Sequence, residues 1–151
     1  MKEVADFYLD FIEQSDGELK YYPSVSPENT PLNFLPNSKE PLAHPMPTTI
    51  NATMDIAIMK ELLTNLLEGS KKLSIYETYR SEWIDLLNRI PSYRISSDGA
   101  INEWIDEQFK DNHQQRHFSF IYPICPGKET VTKMEIFKNA VEKRETKSQT
   151  G

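Results

Sequence analysis

The chain has 151 residues, room for one domain with a sizeable core, and a formal net charge of −6. That balance leaves no basic footprint for nucleic acid or for an anionic membrane surface. The single cysteine, Cys125, excludes an internal disulfide and a cysteine-based zinc cluster, and His44, His113 and His117 are too few, and as a set too poorly spaced, for a convincing metal site.

Residues 2–14 read as an amphipathic helix, because Val4, Phe7, Tyr8, Phe11 and Ile12 recur at spacings of three and four. Asp6 and Asp10 interrupt what a signal peptide needs as its apolar region, and no later run approaches the roughly 20 apolar residues of a membrane span. Ser15, Asp16 and Gly17 form a turn signal, followed by a short extended piece over 18–22. In Tyr22-Pro23-Ser24-Val25-Ser26-Pro27-Glu28-Asn29, two prolines restrict the backbone. Ser26 reads there as an N-cap, Pro27 as the first helical residue and Glu28 as a first-turn acid. Segment 30–51 holds Pro31, Pro36, Pro41, Pro45 and Pro47 and shows no period. It is expected as a long Pro-rich loop within the domain, either a lid or pocket rim or a flexible insertion.

Residues 53–68 give the clearest helix. Ile58, Leu62, Leu63, Leu66 and Leu67 supply its buried stripe, Asn51 or Thr53 its cap, Asp55 a charge for its positive end, and Gly69 its stop. A second helix over 75–90 buries Tyr76, Tyr79, Trp83, Leu86, Leu87 and Ile90, and Pro91 ends it. The short connection makes these two an antiparallel hairpin. Region 91–127 is irregular, with a turn at Asp98-Gly99, a dense polar run over 111–117 and a closing Pro126-Gly127. A last helix over 132–144 presents Met134, Phe137, Ala140 and Val141, and 145–151 frays. Helices joined by long loops indicate an all-α, layered fold.

Glu28 is the best single candidate for acid–base work. A glycosidic oxygen is a poor leaving group, and its departure needs a proton from a carboxylic acid kept neutral near pH 7. Tyr21 and Tyr22 can raise the Glu28 pKa by desolvation. The plain alternative is a glutamate that serves a helix dipole. Arg116 and His117 can donate hydrogen bonds to sugar hydroxyls or to a carboxylate, or can be a structural ion pair and a satisfied buried histidine. Glu103-Trp104 offers a carboxylate beside a stacking platform, or a surface glutamate beside a core tryptophan. His113 and His117 have the spacing of a helical metal pair, but no acid lies between them and no third ligand is evident, so no metal is expected. Ser24 and Ser26 lack the glycines of a nucleophile elbow.

The run Pro23-Ser24-Val25-Ser26-Pro27-Glu28-Asn29 resembles the PSxSPEN signature of glycoside hydrolase family 95, the α-L-fucosidase family, which includes some α-L-galactosidases. Further segments resemble the family in the same order. Ala52-Thr53-Met54-Asp55 is similar to the segment opening its next helix, and Asp98-Gly99-Ala100-Ile101-Asn102-Glu103-Trp104 to its DGxxxEW segment. Gln115-Arg116-His117-Phe118-Ser119-Phe120-Ile121-Tyr122-Pro123, with Pro126-Gly127, resembles HRHxSHLYxLYPG. Arg144 resembles the arginine ending the following helix, and Thr150-Gly151 the lead-in to a Gly-Trp-Ser segment.

The resemblance implies an (α/α)6 barrel, of which 1–151 would be a single partial catalytic domain, a fragment of a larger toroid. It implies that Glu28 matches the general acid of an inverting glycosidase and that Arg116 and His117 match residues around the bound sugar. Glu103, Trp104 and Asn29 are then expected at the pocket, with no cofactor and no metal. The implied substrate is a terminal α-L-fucosyl or α-L-galactosyl linkage of an oligosaccharide, and the implied partners are missing barrel segments or further copies of the chain. Family members use an asparagine pair upstream and an aspartate downstream to activate the water, and Asp55, Asp98, Asp106 and Asp111 do not occupy those places. The isolated chain is therefore expected to be inactive. Gln115 departs from the first histidine of HRH, and Phe120-Ile121 departs from His-Leu. Family members are often secreted or periplasmic, and no signal peptide is read in this chain. Two alternatives stand beside this reading: a non-catalytic remnant that binds a glycan or a protein, and an unrelated all-α interaction domain.

Overall fold

A computed structural model describes residues 1–15, 18–34, 48–129 and 134–148. Four helices carry most of the regular structure: α1 (Lys2–Phe11), α2 (Thr53–Leu73), α3 (Arg80–Arg89) and α4 (Glu135–Ser148). One short antiparallel hairpin, β1 (Glu13–Ser15) with β2 (Glu18–Lys20), pairs Glu13 with Lys20 and Ser15 with Glu18. The architecture is mostly helical, as the all-α reading expects. The expected turn at Asp16 and Gly17, prolines 36, 41, 45 and 47 of the 30–51 loop, His44, the first residues of the last helix and Thr150-Gly151 lie outside the described residues.

α1 ends at Phe11, short of the expected residue 14, because Ile12 turns extended at φ −76° and ψ 121° and feeds the hairpin. Its buried face is Ala5 and Tyr8, continued by Ile12. Val4 and Phe7 of the expected stripe are 46% and 52% exposed. α1 packs on α2, with Ala5 and Tyr8 in the main core, and Val4 and Phe7 face outward.

α2 and α3 pack as the expected hairpin, but with different bounds. Gly69 lies inside α2, which runs on to Leu73 and stops at Ser74 in the left-handed conformation, φ 54°. A tertiary contact explains the extra turn. The Arg80 guanidinium donates to the Ser70 hydroxyl at 2.9 Å and to the Ser70 carbonyl at 2.6 Å, satisfying an end that would otherwise fray. The expected second helix breaks at Tyr76, φ 56°, so a 3₁₀ turn over Glu77–Tyr79 precedes α3. Tyr76 and Tyr79 are exposed rather than buried, and Tyr79 stacks on buried Trp83 with ring centroids 6.0 Å apart.

The main core joins Ala5, Tyr8 and Ile12 to Leu19, to Ile56, Met59, Leu63, Leu66 and Leu67 of α2, and to Trp83 and Leu86 of α3. The α2 stripe is thus rotated from the expected one: Ile56 and Met59 are enclosed, whereas Ile58 and Leu62 are only half-buried. Enclosing each such aliphatic side chain contributes roughly 1.5–3 kcal/mol before conformational entropy is counted. A second cluster packs Phe137 and Ala140 of α4 against Ala100, Ile101 and Phe120. A third, of Ala52, Trp104 and Phe109, sits at the start of α2.

The loops are tied to these clusters by hydrogen bonds. Neither Asn51 nor Thr53 caps α2 with its side chain. The Thr53 N–H and hydroxyl instead donate to the Glu103 and Asn102 carbonyls, at 2.9 and 2.7 Å. The described start of the 30–51 loop is tethered too. Leu32 N donates to the Lys110 carbonyl at 2.9 Å, and Lys110 N to Asn33 Oδ1 at 3.0 Å. Asp98-Gly99 makes its expected turn, with Gly99 at φ 79° and its N–H on the Ser96 carbonyl at 2.9 Å.

Candidate active site

The opening proline-serine stretch is not a helix start. Ser24 and Thr49 exchange backbone hydrogen bonds of 2.9 and 2.7 Å, fixing the strand-like entry. The Asn29 N–H then returns to the Ser26 carbonyl at 2.9 Å, closing a tight turn with Pro27 and Glu28 at its centre. Proline at the first central position and a positive φ at the second, 53° at Glu28, is the pattern of a type II turn. The Ser26 hydroxyl does not cap anything local, because it donates to the buried Glu103 carboxylate.

That turn lifts Glu28 to the surface, where its side chain is 57% exposed. Two groups from a segment 88 residues further on meet it. Arg116 Nη2 donates to Glu28 Oε2 at 3.0 Å, and His117 Nε2 lies 2.6 Å from the same oxygen. Arg116 Nε is also 3.2 Å from His117 Nε2. One ring nitrogen cannot donate to the carboxylate and accept from the guanidinium at once. With Glu28 ionised, the proton on Nε2 belongs to the Glu28 contact.

The consequence for the carboxyl runs against the expectation. The hydrogen bond from His117 and the charge of Arg116 hold Glu28 below its ordinary range. Desolvation by Tyr21 and Tyr22 does not occur: Tyr22 is exposed, and Tyr21 packs against Tyr8 and Phe11 of the main core.

The other expected pocket residues lie behind this surface. Trp104 is fully enclosed, and its indole N–H donates to the Thr49 hydroxyl at 3.1 Å. It therefore offers no face for stacking on a sugar in this structure. Asn29 is buried and reaches the Asn112 carbonyl at 3.4 Å. Glu103 and Arg144 are each 1% exposed and form an ion pair of 2.6 Å. Burial pushes the Glu103 carboxyl up, while Arg144 and the Ser26 hydroxyl pull it down. The structure thus brings Glu28, Arg116 and His117 together at the surface and sets Glu103, Trp104 and Asn29 beneath them.

Beside His117 a cavity of about 260 Å³ opens, lined by Pro27, Met54, Phe118, Tyr122 and Pro126. A second, of about 270 Å³, lies between α2 and the 122–129 segment, bordered by Lys60, Glu61 and Glu129 and not by Glu28. Among the described residues no group of three or more histidine, cysteine or acidic side chains is placed to hold a metal ion. Asp55, Asp98, Asp106 and Asp111 are each engaged by nearby donors.

Residues 1–151 match the model of the glycosyl hydrolase family 95 catalytic domain along their whole length. This chain belongs to glycoside hydrolase family 95. It is similar to alpha-L-fucosidase 2 of Arabidopsis thaliana, with 33% identity over 145 residues. That similarity covers 94% of this chain and 16% of the plant protein, so the family 95 segment described here spans about a sixth of its relative's length.

Sequence reasoning gave Gln115, Ser26 and Arg144 no part in the site. Gln115 donates to the Glu28 main-chain carbonyl and accepts the Arg116 N–H at 2.7 Å. Ser26 and Arg144 reach Glu103 from opposite sides. For Arg144 a signal existed: it continues the helical spacing of Phe137 and Ala140, and a charge on a buried stripe needs a buried partner.

Proposed function

We propose that this chain carries the proton-donor face of an inverting glycosidase acting on terminal α-L-fucosyl, or α-L-galactosyl, linkages of oligosaccharides. The observation supporting this reading is the convergence of Arg116 and His117 on one oxygen of Glu28, at 3.0 and 2.6 Å. A carboxyl flanked by two donors, beside a partly apolar cavity, suits a polyhydroxylated ligand with a glycosidic oxygen to protonate. In the free state both donors favour the ionised carboxylate. A sugar that draws Arg116 and His117 onto its hydroxyls, and excludes water, removes that bias. Glu28 then takes up a proton and delivers it to the leaving oxygen.

Inversion needs a water activated on the opposite face, with space for it between the catalytic groups. The resemblance assigns that activation to segments outside these 151 residues, so the isolated chain is expected to turn nothing over. The same reading sets further helix hairpins of an (α/α)6 ring against the exposed Val4, Phe7, Tyr79 and Ile84.

The test is proton NMR of product formed by the catalytic domain that carries this chain. Fresh β-L-fucose (or β-L-galactose) appearing before mutarotation is the expected result. First release of the α-anomer, or no cleavage of either glycoside, would overturn the proposal. A second reading, glycan binding without turnover, has one observation in its favour: Glu28 is held ionised, the wrong state for a proton donor. The unrelated all-α interaction domain is overturned by the family 95 match over residues 1–151, and the contact of Glu28 with His117 is the opposite of what would have favoured it.

A further inference from the structure

We propose that Arg144, Glu103 and Ser26 form a buried positioning clamp that sets the Glu28 turn against the 115–117 segment. The proposal rests on the proton-donor reading of Glu28 and goes beyond it to residues that no substrate can touch.

The clamp connects four parts of the chain. From α4, Arg144 Nη1 donates to the Gln115 carbonyl at 3.1 Å and to the His117 carbonyl at 2.7 Å. These two carbonyls flank Arg116, so their anchoring fixes the residue between them. Arg144 Nη2 donates to Glu103 Oε2 at 2.6 Å, and the other Glu103 oxygen accepts the Ser26 hydroxyl. Ser26 is the residue from which the Glu28 turn springs, since its carbonyl accepts the closing N–H of Asn29. The backbone of Glu103 is fixed in turn. Its N–H and the Asn102 amide donate to Asp111 Oδ2, at 2.9 and 3.0 Å, and Arg94 lies 3.5 Å from Asp111 Oδ1.

The energetics favour a geometric role over a stabilising one. Desolvating two charges costs about as much as their attraction returns, and apolar replacements of similar volume are often as stable. What such a pair supplies here is direction. Arg144 has a planar fork that can reach two carbonyls and a carboxylate together, which no aliphatic side chain can do. Glu28, Arg116 and His117 sit on irregular segments, and without a fixed support their mutual distances would drift. A misplacement of about 1 Å costs on the order of 10²-fold in rate.

The experiment compares the wild-type chain with Ser26→Ala and with the double variant Glu103→Leu, Arg144→Met. The first removes one hydrogen bond and keeps the ion pair. The second replaces the pair with apolar side chains of similar size. Carbon-13 NMR follows the Glu28 carboxyl through its titration, and the Trp83 indole signal reports whether the main core is intact. With the core intact, the clamp predicts that the Glu28 midpoint moves up towards the ordinary carboxylate value in both variants, because Arg116 and His117 no longer face it. In the whole catalytic domain the same variants are expected to lose roughly 10²-fold in kcat/KM. A Glu28 midpoint unchanged in folded Ser26→Ala overturns the proposal, whether or not the double variant folds. The titration involves no turnover. A failed clamp therefore leaves the proton-donor reading standing, and a Glu28 without catalytic effect leaves the clamp standing.

Discussion

At position 28 the backbone is left-handed, a conformation that costs a non-glycine residue about 1–2 kcal/mol. The surrounding contacts hold it there: the Asn29 N–H on one side and the Gln115 amide on the Glu28 carbonyl on the other. Because the Glu28 pKa is depressed, its contacts favour the fold above the ordinary carboxylate range and are lost as pH falls through the lowered value. The group is exposed, so that contribution is small and screened by salt. His113 carries the larger pH effect. Burial, with the positive charges of Lys143, Arg144 and Lys147 outweighing Asp98, lowers it from 6.5 to about 4. The unfolded chain then binds a proton that the folded chain refuses, so stability is full above about 6.5 and declines as pH falls towards 4. Urea unfolding of wild type and His113→Asn at several pH values checks this. The variant is expected to flatten the slope across that window, and an equal slope in both proteins would contradict it. At this scale the sequence made Arg116 and His117 legible as polar candidates. It could not reveal that both converge on Glu28, because that pairing spans 88 residues.

Among the elements, the 26–29 turn is the clearest case of a tertiary partner overriding a local signal. Ser-Pro-Glu has the chemistry of a helix start, yet the Ser26 hydroxyl is taken by a carboxylate 77 residues away and the chain turns instead. α2 makes the same point at its other end. Gly69 is a reasonable stop signal, but Arg80 secures the following turn through Ser70, and the helix continues to Leu73. Glycine inside a helix is therefore a cost without a local benefit. A Cβ at position 69 would meet nothing within 4 Å. Gly69→Ala is expected to stabilise the chain by about 0.5–1 kcal/mol, read as a higher urea midpoint at constant slope. A lower midpoint would mean that the helix is distorted there. The hairpin of α2 and α3 was legible, since both stripes are strongly periodic and the connection is short. The rotation of the α2 stripe towards Ile56 and Met59 was not, because it depends on where α1 lies.

Across the whole molecule, three apolar clusters hold helices and irregular segments together, and the catalytic candidates sit where the irregular segments meet. The family motifs mark those same segments, so the sequence pointed to them without showing how they pack. Trp104 and Glu103 belong to a motif and were read as pocket residues, whereas the structure encloses both and uses them to support Ser24–Thr49 and the Glu28 turn. α1, the 3₁₀ turn and α3 leave Val4 and Phe7, Tyr79, and Ile84 exposed. The most direct measurement is hydrolysis by the catalytic domain carrying this chain, wild type against Glu28→Gln. One substrate is an α-L-fucosyl oligosaccharide, and the other is α-L-fucosyl fluoride, whose leaving group departs without a proton. A general acid at Glu28 predicts a loss of roughly 10²–10⁴-fold on the oligosaccharide and a far smaller loss on the fluoride. Equal losses on both substrates, or undiminished oligosaccharide cleavage by Glu28→Gln, would contradict it.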